Sequence, residues 1–146
     1  MAIASAICNT FKTEILKAVH NFTASTGNTF NLALYTSSAS MGASTTAYST
    51  SNEITNTAGS AYSAKGKALT SVTPVLSSDT AVCDFANVSW TSASFTARGC
   101  LIFNDTATGD PAVCAIDFGG DKTVTSGTFT IEFPAASAGT AIIGIA

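Results

Sequence analysis

ASFTARGCLIFNDTATGDPAVCAIDF, residues 93–118, is the stretch that decides the fold. In 93–104, Phe95, Ala97, Leu101 and Phe103 share one parity, and Ser94, Thr96, Arg98 and Cys100 share the other. That is the period of two of a pleated backbone. DTATGDP (105–111) concentrates Asp, Gly and Pro, the residues of turns. PAVCAIDF (111–118) then reads as a return strand, so the whole stretch is a β-hairpin. Arg98, the only arginine of the chain, sits inside the first strand, with Gly99 beside it as a candidate bulge.

Downstream, GGDKTVTSG (119–127) reads as a second turn. TFTIEF (128–133) alternates cleanly, with Phe129, Ile131 and Phe133 inward, and TAIIGIA (140–146) is a closing strand. Upstream, AVCDFANVSW (81–90) and KALTSVTPVLS (67–77) are strands, and Pro74 marks the latter as an edge or a bulge. FNLALYT (30–36) sets Phe30, Leu32 and Leu34 against Ala33 and Tyr35. Between them, residues 37–66 are polar, with Met41, Tyr48, Ile54 and Tyr62 as the large apolar exceptions. This reads as a long loop with a short strand near Tyr48, and loops of such length carry contacts or function. Shortening 41–58 is therefore expected to leave the fold intact.

One helix is expected, over residues 10–22 within NTFKTEILKAVHNF (9–22). Phe11, Ile15, Leu16, Val19 and Phe22 form its apolar stripe, and Asn9 or Thr10 caps it. Residues 1–9 are an arm or an extra turn. Seven or eight strands behind one helix make a mainly β chain of one domain, an antiparallel sandwich or jelly roll.

Composition narrows the function. Asp, Glu, Lys and Arg make up 10% of the chain, against about 25% in ordinary soluble domains. Ser (18) and Thr (23) take their place. So few charges favour a symmetric oligomer or a place in a larger assembly over a free monomer. The net charge of −3 and six scattered cations argue against nucleic acid as a partner. No apolar run approaches the roughly 18 residues of a membrane span. The opening MAIASAICNTFKTEILK places its first Lys at position 12, behind an apolar run, the wrong order for a secretory leader. Folding in the cytosol is expected.

Reactive constellations are sparse. Cys8, Cys83, Cys100 and Cys114 form no metal-binding pairs and read as buried thiols, with a Cys100–Cys114 disulfide as the disfavoured alternative. His20 is the only histidine and reads as a helix residue; a Ser–His–Asp or Cys8–His20 arrangement would need it, but no nucleophile elbow is present. Asp105, Asp110 and Asp121 lie in turns, where Asx hydrogen bonding explains them better than calcium. No catalytic residue, metal, cofactor or small-molecule substrate is expected. The residues singled out are structural or interface candidates. Arg98 is expected to clamp strand register through a bidentate pair with Asp84 or Asp117, or to reach a neighbouring subunit's acid. Trp90 is a core or interface anchor, and Tyr48 and Tyr62 are loop aromatics. A carbohydrate-binding module using Tyr35, Tyr48, Tyr62 and Trp90 is the reading from another class.

FKTEILKAVHNFT (11–23), ALYTSSA (33–39), TTAYSTSNEI (45–54), KALTSVTPV (67–75), VSWTSASFTARGCLIFND (88–105), AVCAIDFGGDKTVTSGTFTIEFP (112–134) and AIIGIA (141–146) occur in this order. Together they resemble a family of small β-rich proteins encoded among the virion structural genes of tailed bacteriophages. ARGCLIFN and DFGGDK are the most specific stretches, although Cys100 stands where a small apolar residue is expected, as in ARGALI. The resemblance implies a virion component without a catalytic site, whose partners are other copies of itself and phage capsid or tail proteins. A capsid decoration or cement protein in many copies is favoured, and a tail, neck or fibre-attachment protein in few copies is the alternative.

Overall fold

A computed structural model describes residues 2–55 and 59–146. The chain is mainly β, with two antiparallel sheets and one short helix. In chain order the elements are β1 (Ala6–Ile7), α1 (Asn9–Leu16), β2 (Phe30–Tyr35), β3 (Lys67–Ala68), β4 (Ser71–Ser77), β5 (Thr80–Phe85), β6 (Val88–Asn104), β7 (Ala112–Ile131) and β8 (Ile143–Ile145). The larger sheet runs β1-β7-β6-β2-β3 and the smaller β4-β5-β8. Each sheet is built around a hairpin that stays within it, an order that suits a sandwich better than a jelly roll.

The 93–118 hairpin is present, and it is longer than its sequence suggests. Residues 119–127, expected as a turn, are strand, so β7 continues through the TFTIEF segment and pairs with β6 from Val88↔Ile131 to Phe103↔Ala112. Hydroxyls help hold its 122–127 part to β6: Thr96 bonds Thr123 at 2.8 Å and the Ser126 amide donates to Ser94 Oγ at 2.9 Å.

Other boundaries shift for tertiary reasons. KALTSVTPVLS splits into β3 and β4, and AVCDFANVSW into β5 and the start of β6, because the chain changes sheet at each break. Pro74 does fall on an edge strand, with a register shift between Val72 and Val75. The helix stops at Leu16 instead of running to residue 22. Ala18 adopts φ 58°, and the chain turns back so that His20 and Phe22 enter the core beside Phe11. Leu16, expected in the apolar stripe, is instead exposed. The N-cap position is Cys8, and no side chain caps the helix. The N-terminal segment is not a free arm. Ala6 and Ile7 pair with Ala115 and Cys114, and Ile3 is buried against the loop strand at Met41.

The central strands are covered on both sides, and β2 is buried along its whole length. On one face, Phe30 stacks on Phe22 at 4.2 Å and meets Phe85 of the smaller sheet at 6.0 Å. On the other, the 37–66 segment lies across the sheet, with Tyr48 stacked on Phe103 at 4.6 Å. This segment contains isolated bridges, Ile3↔Met41, Tyr35↔Glu53 and Ala47↔Pro111, and no regular strand among its described residues. It contributes Ala39, Ile54 and Tyr62 to the core. Within 41–58, expected to tolerate shortening, Glu53 and Ile54 are buried and Met41 and Tyr48 pack against the core, while residues 56–58 lie outside the described residues.

Candidate functional site

Arg98 sits opposite a wide bulge. Ala97 pairs with Lys122 and Gly99 with Asp117, so Phe118, Gly119, Gly120 and Asp121 loop out against one residue of β6. The guanidinium closes that loop from both ends, with Nε 3.4 Å from Asp117 Oδ1 and Nη1 3.1 Å from Asp121 Oδ1. Asp117 Oδ1 also accepts from the Gly119 amide at 3.1 Å. The expected partner Asp117 is there, but the pairing is a staple across two acids and not a bidentate fork. Asp84 is elsewhere, on β5 of the other sheet, accepting from the Phe85 amide at 2.8 Å. Gly99 is required next to Arg98 for a steric reason: a Cβ there would lie 2.4 Å from the Ile116 carbonyl oxygen and 2.8 Å from Ile3 Cδ1. The Arg98 side chain is 37% exposed, so the staple is worth a surface ion pair, about 0.5–1 kcal/mol. Arg98→Ala should lower the melting temperature by roughly 2–4 °C and speed amide exchange at 118–121. An unchanged melt and unchanged exchange would leave the staple without energetic weight.

A second constellation, unseen in the sequence, holds the long loop down. Glu53 is buried, and both of its oxygens are used. Oε1 accepts from Tyr62 Oη at 2.7 Å and from the Lys65 amide at 2.8 Å, and Oε2 accepts from Tyr48 Oη at 2.5 Å. Tyr62 Oη in turn accepts from the Leu34 amide of β2 at 2.9 Å. The Ile54 amide donates to the Leu34 carbonyl, and the Thr36 amide to that of Asn52, both at 2.9 Å. Loop residues 52–54 and Tyr62 thus stand in for a neighbouring strand where β3 has ended. Burial, then the Glu53 carboxylate, raises the Tyr62 phenol far above its usual range and pushes Tyr48 up to about 12.

Lys65 completes this corner, 2.7 Å from Asp105 and 2.9 Å from Asp110, with its ammonium 5.7 Å from the centre of the Tyr48 ring. Its hydrogen bonds to those two acids hold the ammonium well above its usual value. The turn acids 105 and 110 therefore serve a lysine. Gly66, at φ 64°, follows because a Cβ there would strike the Leu32 carbonyl oxygen.

His20 is likewise consumed internally. Its Nε2 is 2.9 Å from Glu14 Oε2 and its Nδ1 3.2 Å from Asn104 Nδ2. Asn104 Oδ1 accepts from the Thr106 and Ala107 amides, which fixes the amide orientation and leaves Nδ2 as donor. Nδ1 of His20 is therefore an acceptor, and its proton is on Nε2, facing Glu14. Among the described residues no nucleophile shares a hydrogen bond with the ring. All four cysteines are free thiols; Cys8, Cys100 and Cys114 are buried, and Cys83 is half-buried. Among the described residues no three His, Cys, Asp or Glu side chains are grouped to hold a metal ion, and no helix is long and apolar enough to cross a membrane.

The aromatic candidates are internal. Trp90, Tyr62 and Tyr35 are buried, and Tyr48 is half-buried under Lys65. Trp90 packs between Tyr62 and Phe129, at 6.1 and 6.2 Å, with Lys67 over its ring. A sugar-stacking platform of these four residues is not at the surface, and neither Trp90 nor Tyr62 is placed to anchor a partner. Concave apolar surface occurs elsewhere. Phe118, Phe129, Ile131 and Phe133 line a groove of about 610 Å³ floored by Cys100. No protein-family model, no curated protein and no solved structure matches this chain.

Proposed function

We propose that this chain is a structural component of a tailed-phage virion, without catalytic activity, acting as a capsid decoration or cement protein bound in many copies. The observation that carries this reading is where the reactive groups go. Glu14, His20, Glu53, Lys65, Asp105, Asp110, Arg98, Asp117 and Asp121 are all engaged with one another, with tyrosines or with backbone. What remains outward is mostly hydroxyl, with few unpaired charges and several exposed aliphatic side chains. Such a surface suits contact with neighbouring subunits better than turnover of a solute. In a cement protein, weak contacts are multiplied by the symmetry of the shell.

Location and copy number test the proposal together. Purified particles should contain the protein, and gel densitometry should give on the order of hundreds of copies, as symmetric coverage of a shell requires. A dozen or so copies would favour the tail, neck or fibre-attachment role. Particles lacking the protein would exclude both.

A further inference from the structure

Among the described residues, the large hydrophobic side chains that remain exposed lie on the smaller sheet and at the end of α1, with Val72 and Val75 on the sheet face opposite Leu76 and Ala81. Val72 (45%), Val75 (56%), Leu76 (73%) and Ile145 (53%) lie on β4 and β8, the two edge strands of the smaller sheet. The fifth, Leu16 (88%), is at the end of α1. Leu76, Ala81 and Ile145 are register partners, one row across all three strands. Farther along this sheet Phe85 and Ile143 are buried in the core. The Leu76 row overhangs what the chain itself covers. Between the overhang and the α1 end lies a groove of about 440 Å³, lined by Ile15, Ala18 and Phe22 on one bank and Pro74, Ala81 and Ile145 on the other.

The banks carry opposite charge. Lys12 and Lys17 flank Leu16 on the helix bank, and Asp79 occupies the β4–β5 turn on the sheet bank. None of the three is in an ion pair among the described residues. A largely apolar groove, with His20, Asn21 and Thr23 also in its wall and charges of opposite sign beside its two banks, is complementary to itself. A two-fold axis lying along the groove sets each basic bank against the partner's acidic bank.

We propose that this groove is the surface by which two copies of the chain associate, with Leu16 and Leu76 at the centre of the contact and Lys17 facing Asp79 of the second copy. The proposal rests on the self-association contained in the virion reading and names the face responsible. Its test in solution succeeds or fails separately from the copy number on particles.

Sedimentation of the full chain at about 100 µM, a concentration at which even a modest specific interface is populated, is expected to give a dimer. Leu76→Glu should weaken dimerisation by tenfold or more with an unchanged melting temperature, since the side chain is exposed. Asp79→Lys and Lys17→Glu should each weaken it severalfold, and the double reversal should restore it. A monomeric wild type, a dimer indifferent to Leu76→Glu and Asp79→Lys, or a double reversal as weak as the singles would overturn the proposal. So would a wild-type monomer whose binding to particles is lost with Leu76→Glu, because the groove would then take a different protein.

Discussion

Glu53→Ala is expected to cost about 3–5 kcal/mol, a large share of the 5–15 kcal/mol that holds a domain of this size together. The substitution strands two phenolic hydroxyls and the Lys65 amide, all of which donate to the carboxylate. Tyr62 Oη also receives the Leu34 amide, so the loss reaches the edge of β2. Glu53→Gln should be milder, about 1–2 kcal/mol, because a carboxamide keeps the shape and one acceptor. Removing 41–55 entirely should prevent folding, since the sheet face under Tyr48 and the core around Ile54 would be bared. Urea titration of the variants measures these differences. A Glu53→Ala protein within 1 kcal/mol of wild type, or a folded 41–55 deletion, would mean that the loop is an accessory and not a layer of the fold.

Alkaline pH should unfold the protein steeply. Burial pushes the Cys8 and Cys83 thiols to about 11 and Cys114 to about 12, from an ordinary 9.0, and Cys100 well above that ordinary value. Burial also raises the Tyr35 and Tyr62 phenols well above 10.0. Raised folded values mean that these groups stabilise the fold fully below the unfolded pKa and lose that contribution as pH climbs toward the folded one. Above pH 9 the unfolded chain releases thiol protons that the folded chain retains, a loss of up to about 1.4 kcal/mol per pH unit for each such group. Above pH 10 the three raised phenols, Tyr35, Tyr48 and Tyr62, steepen it further. Unfolding should therefore be complete near pH 11, followed by circular dichroism alongside thiolate and phenolate absorbance. Cys100→Ala should flatten the slope by one proton. A gradual titration of thiols and phenols in a chain that stays folded would refute this linkage.

Local pattern carried much of the architecture. The strict alternation in β2 and the turn chemistry of 105–111 place the central hairpin and its neighbour, and Pro74 marks an edge strand. Pattern fails where tertiary demand overrides it. Residues 17–22 look helical, but His20 and Phe22 are worth more stacked in the core than continuing a stripe. Residues 119–127 look like a turn, but hydroxyl bonds to β6 help keep the 122–127 part extended. Arg98 was legible as a clamp on Asp117, yet its second partner appears only once the bulge brings Asp121 round. Glu53 left one signal in the sequence: it and Lys65 are the only charged residues of 37–66. An isolated acid amid hydroxyls, with tyrosines to either side, is the mark of a buried acceptor.

The strand order governs when this chain becomes a protein during synthesis. β1 finds its neighbour only in β7, where Ala6 faces Ala115, and β2 waits for β6, where Phe30 faces Asn104. The β4–β5 and β6–β7 hairpins can close locally, but the β1–β7 and β2–β6 pairings join segments far apart in sequence. The larger sheet can assemble only once β7 has left the ribosome, and such distant pairings close slowly, on the order of milliseconds to seconds. Until then β2 and the apolar end of β6 wait uncovered, and the sparse charge of the sequence does little to keep growing chains apart.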